Sequence, residues 1–130
     1  MSDCLFCKII SGEIPCYKVW ESETHLAFLD IYPMREGHAL VIPKAHAPDL
    51  FLLDDAAYDA VMRATKVVAA KLRAAMGVPR VGVIVKGFEV DHVHVHLVPI
   101  SEPRQMDPCN IVMEVDHAKL AAALAKIVNS

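Results

Sequence analysis

Apolar positions change their period along this chain, and the changes mark out its elements. Through 54–76, Ala57, Val61, Ala64, Val68 and Leu72 recur every three or four residues, which draws one stripe down a long helix. Asp54 supplies a side-chain cap at its start and Gly77 a stop. Residues 3–11 predict a short helix closed by Gly12 and Pro15. The runs 17–21, 25–30 and 38–42 are short, rich in β-branched and aromatic residues, and bounded by Ser22-Glu23, Pro33 and Glu36-Gly37. They predict an antiparallel meander. A strand over 81–85 leads through 86–91 into another that starts at His92 and ends near Pro99. Residues 110–115 predict one more short strand, and Asp116 caps a final helix carrying Leu120, Leu124 and Ile127. The order of elements gives an α+β fold, an antiparallel sheet with the long helix on one face.

One strand carries chemistry. In His92-Val93-His94-Val95-His96-Leu97-Val98, histidine fills every second position. Strand geometry sends the three imidazoles to one face and Val93, Val95 and Leu97 to the other. Neighbouring histidines sit about 6.6 Å apart along the axis, so one metal ion can take two of them but hardly three. The rings are therefore expected to divide between tasks. A neutral imidazole attacks phosphorus, and a protonated one neutralises phosphate oxygens or a leaving group.

Composition narrows the range of partners. At 130 residues, 55% hydrophobic and 22% charged, the chain is expected to be one domain, 1–130, with a core of its own. A net charge of −3 with scattered Lys and Arg leaves no footprint for a DNA or RNA polymer, so any bound phosphate should be small. No apolar run is long enough for a membrane span, and the opening residues lack a signal-peptide pattern, which makes a cytoplasmic location the expectation. Four cysteines in that setting are expected as thiols or metal ligands.

Cys4-x-x-Cys7 supplies two of the four ligands a structural zinc needs. His46 and one end of the histidine strand are candidates for the rest; ordinary burial of two small thiols is the plainer alternative. Asp30 ends an apolar strand, where a carboxylate can accept two ribose hydroxyls or merely cap a turn before Pro33. Phe6, Ile9, Phe28 and Ile31 can line a base pocket beside it. His38, read alone, is a structural histidine; His25 and His117 read as surface residues, and Cys16 and Cys109 lack assignable partners.

Together these residues resemble the histidine triad (HIT) family. The likeness covers nearly the whole chain: 4–15 (CLFCKIISGEIP), 27–31 (AFLDI), 37–46 (GHALVIPKAH) and the triad, in the family's order. It implies a five-stranded antiparallel sheet with a long central helix and a C-terminal helix, a homodimer, and hydrolysis or transfer at nucleotides. It also implies a division of labour. His94 matches the nucleophile that forms a nucleotidyl-histidine at the α-phosphorus, His96 and His38 match positions that support it and contact phosphate, and Asp30 matches the ribose acid. The branch with an N-terminal C-x-x-C is similar in binding structural zinc, here through Cys4, Cys7, His46 and His92.

On this resemblance the expected substrates are purine nucleoside phosphoramidates or related nucleotide conjugates, with release of a monophosphate such as AMP. Dinucleoside polyphosphates are the alternative substrate class. A nucleotide-binding or scaffold protein with weak catalysis is a third reading, and a catalytic metal held by two triad histidines a fourth. The loop before the triad departs from the family's pattern. Residues 85–91 are shorter and lack the asparagine and the Gln or Ser many members place there, which leaves backbone N–H groups around Gly87 and the charge of Lys86 as the candidates to substitute for them.

Overall fold

Short strands joined by tight turns pair as antiparallel neighbours, and the computed structural model, which describes residues 3–129, has a five-stranded antiparallel sheet in which one further pairing spans the long helix. Its strands are β1 (Lys18–Glu21), β2 (His25–Leu29), β3 (Ala39–Pro43), β4 (Arg80–Ile84) and β5 (Val95–Ile100), ordered β1-β2-β3-β5-β4. The last strand thus lies between β3 and β4. Leu26 faces Ile42 across β2 and β3, Val41 faces Val95, and Ile84 faces His96.

Both faces of the central strands are buried, each by a different layer. Ala27, Leu29, Ala39, Val41, Val95 and Leu97 point to one side, where they pack with Val61, Ala64, Val68 and Leu72 of helix α2 (Asp55–Met76). Leu120, Ala123 and Ile127 of helix α3 (His117–Val128) complete that layer. The alternate residues Leu26, Phe28, Leu40 and Ile42 point the other way and pack against Phe6 of the short helix α1 (Leu5–Ile10). Asp54 accepts a bond from the Ala57 amide at the start of α2, and Gly77 ends it in the left-handed conformation at φ +64°.

Three expectations need correction. Residues 110–115 form no strand: Asp107 caps a 3₁₀ turn over Pro108–Asn110, and the bond from Val112 N–H to the Pro33 carbonyl is too isolated to build a ladder. The histidine strand enters the sheet at Val95 rather than His92: its pairing with β3 begins at Val41–Val95, and β4 on its other side ends at Ile84, opposite His96. Before that point the chain is held by Val93 N–H donating to the Ala47 carbonyl at 2.7 Å. His25 is buried rather than superficial, since it opens β2 opposite Pro43 and turns its ring to the Thr24 hydroxyl.

Candidate active site and candidate metal centre

The alternation of the triad survives even where the ladder does not. Val93, Val95 and Leu97 all enter the helix-side core, and the three imidazoles lie on the α1 side of the sheet. Phe6 stands edge-on to His92 and to His94, so α1 clamps the row. His94 and His96 follow with ring centroids 5.2 Å apart.

Each ring has its proton fixed by its hydrogen-bond partners, on Nε2 in His92 and His96 and on Nδ1 in His94. The Nε2–H of His92 donates to the Pro43 carbonyl at 2.8 Å, leaving its Nδ1 lone pair free. The Nδ1–H of His94 donates to the carbonyl of His92 itself at 2.7 Å, which leaves Nε2 as the nitrogen with an available lone pair. For His96 the information arrives through His38. The Met34 amide donates to His38 Nδ1 at 3.0 Å, so His38 must carry its proton on Nε2 and donate it to His96 Nδ1, also at 3.0 Å. His96 then bears its proton on Nε2, a buried N–H with no hydrogen-bond partner among the described residues.

Burial pushes His38 down to about 4, and burial together with the neighbouring His38 and His94 does the same to His96. Both are neutral at physiological pH, as the donor chain requires. Asp30 follows β2 on the same side. Its Oδ1 accepts from the Tyr32 amide at 2.9 Å, while Oδ2 lies 3.6 Å from His38 Nε2 and 3.8 Å from His96 Nδ1, too far to compete for those protons. Burial raises the Asp30 pKa, and the Tyr32 bond opposes the rise.

The four cysteine and histidine candidates converge at the other end of the row. Cys4 caps α1 and Cys7 lies within it, His46 stands in the turn after β3, and His92 starts the triad. Cys4 Sγ is 3.3 Å from His92 Nδ1, and Cys7 Sγ is 3.3 Å from His46 Nδ1 and 3.6 Å from His92 Nδ1. A tetrahedral zinc with ordinary bond lengths sets sulfur and nitrogen ligands about 3.6 Å apart, so these donors fit the ion. The bond from His92 to Pro43 also turns the correct nitrogen inward, the usual outer-shell arrangement of a ligating histidine.

The remaining nucleotide candidates divide. Phe6 and Phe28 are in edge contact inside the smaller core with Ile9 packed against it, while Ile31 is largely exposed and outside that cluster. Gly87 sits in the loop before the triad at φ +82°, with open space where a Cβ would lie. The same loop brings in a residue that sequence reasoning passed over: Glu89 Oε1 lies 3.7 Å from His94 Nε2. The strict histidine alternation drew attention away from a carboxylate five residues upstream, and an irregular loop offers no periodicity by which to place it.

Known proteins resemble this chain in sequence and in fold. The chain is similar to an adenosine 5'-monophosphoramidase of Schizosaccharomyces pombe, 42% identical over 101 residues, covering 74% of this chain and 73% of that protein. Among solved structures it is similar to a hypothetical histidine triad nucleotide-binding protein of Sulfolobus tokodaii, with TM-score 0.84, 28% identity and coverage of 97% and 90%. It is also similar to a zinc-bound histidine triad family protein of Mycobacterium smegmatis, with TM-score 0.69, 30% identity and coverage of 98% and 97%. The sequence profile of the HIT domain matches residues 11–102, a span that takes in His38 and all three triad histidines. Those histidines are the ones whose protons the fold fixes in three different ways, and the chain carrying them belongs to the HIT family.

Proposed function

We propose that the protein hydrolyses nucleoside phosphoramidates, or closely related nucleotide conjugates, through a nucleotidyl-histidine on His94. The observation that carries this reading is the complementary pair of nitrogens, a lone pair on His94 Nε2 beside an unpartnered donor on His96 Nε2. The lone pair attacks the α-phosphorus. The bond from phosphorus to the leaving nitrogen breaks, its electron pair going to that nitrogen, which takes a proton from solvent. His96 Nε2–H donates to the phosphoryl oxygen on which negative charge grows. Water then attacks phosphorus, loses a proton to solvent, and returns the P–Nε2 pair to His94, releasing the nucleoside monophosphate. Asp30 Oδ2 accepts from the ribose hydroxyls, Ile9 and Ile31 flank the base over the Phe6–Phe28 pair, and the Gly87 amide adds a phosphate contact.

The name of the S. pombe relative supports the substrate class. Cys4, Cys7, His46 and His92 hold a structural zinc in this reading, as the donor spacing and the zinc-bound M. smegmatis relative support. With four protein ligands such an ion keeps no open position for substrate, so its contribution is to pin α1 and His92. A second copy of the chain pairs with it as a homodimer, for which β4 offers a free sheet edge carrying the exposed Val83.

Incubation with an adenosine phosphoramidate tests the mechanism. The expected result is AMP release by the wild type, an adenylyl adduct on His94 in a mass spectrum of protein quenched in alkaline denaturant, and neither from His94→Ala. Equal rates in the two proteins would overturn it.

A further inference from the structure

Glu89 occupies the approach to the reactive nitrogen. His94 is only 3% exposed, its Nδ1 is turned onto the His92 carbonyl, and Phe6 and His96 crowd its ring at 5.1 and 5.2 Å. Its Nε2 looks onto Glu89 Oε1 at 3.7 Å, and the Glu89 side chain is 53% exposed, so the nitrogen faces solvent across this carboxylate.

The charges around that point are few. Asp30 adds a second carboxylate, 3.8 Å from His96 Nδ1. Among the described residues Lys86 is the one ammonium paired there, 3.7 Å from Glu89 Oε2. Partial burial works to raise the Glu89 pKa, but Lys86 and a backbone N–H hold it below the usual carboxylate value, and the group is ionised at neutral pH. His38 and His96 are neutral there. Two carboxylates against one lysine leave a locally negative mouth, where a single phosphoryl group is held by neutral N–H donors and further anionic groups are repelled.

We propose that Glu89 selects the leaving group by charge, receiving the amine of a nucleoside phosphoramidate, a cationic amine best, and disfavouring polyphosphate leaving groups. Phe88, 93% exposed beside it, offers an apolar surface for the carbon chain of that amine. The proposal rests on the reading of His94 as nucleophile.

The test compares kcat/KM for three substrates: an adenosine phosphoramidate of a diamine with a free ammonium, one of an uncharged alkylamine, and a diadenosine polyphosphate. Wild type, Glu89→Gln and Glu89→Lys are assayed, with thermal melting to confirm folding. Relative to the uncharged amine, Glu89→Gln is expected to lose about three- to tenfold on the cationic substrate and gain as much on the polyphosphate, as one surface charge at this range allows. Glu89→Lys should shift both ratios further, and added salt should shrink them. Ratios within twofold of wild type in both variants overturn the proposal.

The same three proteins are titrated with AMP and ADP. Absence of turnover on every substrate defeats the hydrolase reading but not this arm, in which Glu89→Gln should favour ADP over AMP by a similar factor. An unchanged ADP to AMP ratio overturns the charge filter whether or not the protein turns over.

Discussion

His38 Nε2 and His96 Nδ1 lie 3.0 Å apart across 58 residues of chain, and the bond between them runs one way. Because the Met34 amide already fills His38 Nδ1, His38 can only donate, and His96 is left with its proton pointing outward. In the proposed mechanism His38 is therefore a positioning residue whose effect is felt at the far nitrogen of another ring.

Replacing His38 by Ala should lower kcat about tenfold or more, short of the 10²–10³ typical when a direct oxyanion donor is lost. KM for an adenosine phosphoramidate should move less. In His96→Ala the relay has nothing to orient, so adding His38→Ala should cost little more. Full additivity of the two losses in steady-state assays would mean that they act separately.

Acid should unfold the protein by way of the same pair. An unperturbed histidine titrates near 6.5. His38 and His96 are pushed down to about 4 in the fold, so between these values the unfolded chain binds more protons than the folded one. Stability is then fully present above pH 6.5 and falls by a few kcal/mol as pH drops toward 4. Urea melts at pH 7, 5.5 and 4.5 on chelator-treated protein should show the midpoint falling in that order, with a smaller slope in His38→Gln.

Metal analysis should find about one zinc per chain. Cys7→Ser removes a sulfur that sits 3.3 Å from His46 Nδ1 and 3.6 Å from His92 Nδ1, and should lose the metal with a lower melting temperature. A chelator should lower the melting temperature of the wild type and have little effect on the variant.

Gly37 precedes His38 at φ +87°, and a Cβ there would come within 2.9 Å of Met76 and 3.1 Å of Pro99. Gly37→Ala should cost about 1–3 kcal/mol in chemical denaturation and lower kcat by disturbing His38. Gly77→Ala, at φ +64° with open space around it, should cost about 1 kcal/mol and leave kcat alone.

Short-range patterns were the ones the sequence made readable. The stripe from Ala57 to Leu72 and the caps at Asp54 and Gly77 depend on neighbours within a turn, and α2 runs between those caps. Val93, Val95 and Leu97 announced their burial by alternation alone. The cysteine pair named two ligands by spacing, but bringing His46 and His92 to them takes the whole sheet. His38 read as structural because its importance lies in a contact with a ring 58 residues away. Residues 110–115 have the β-branched composition of a strand, yet β1 and β4 are the edges, and this segment reaches neither in register. His25 looked superficial because the polar residues flanking it hide that it begins a strand buried on both faces.

His92 belongs to two neighbourhoods at once, its ring among the sulfurs and its backbone oxygen on the His94 imidazole. A scarcity of metal would thus be transmitted along a single peptide unit, loosening the aim of the attacking nitrogen before the sheet itself gave way. Under the proposed function, micronutrient supply and catalytic competence would be geared together by this one amino acid.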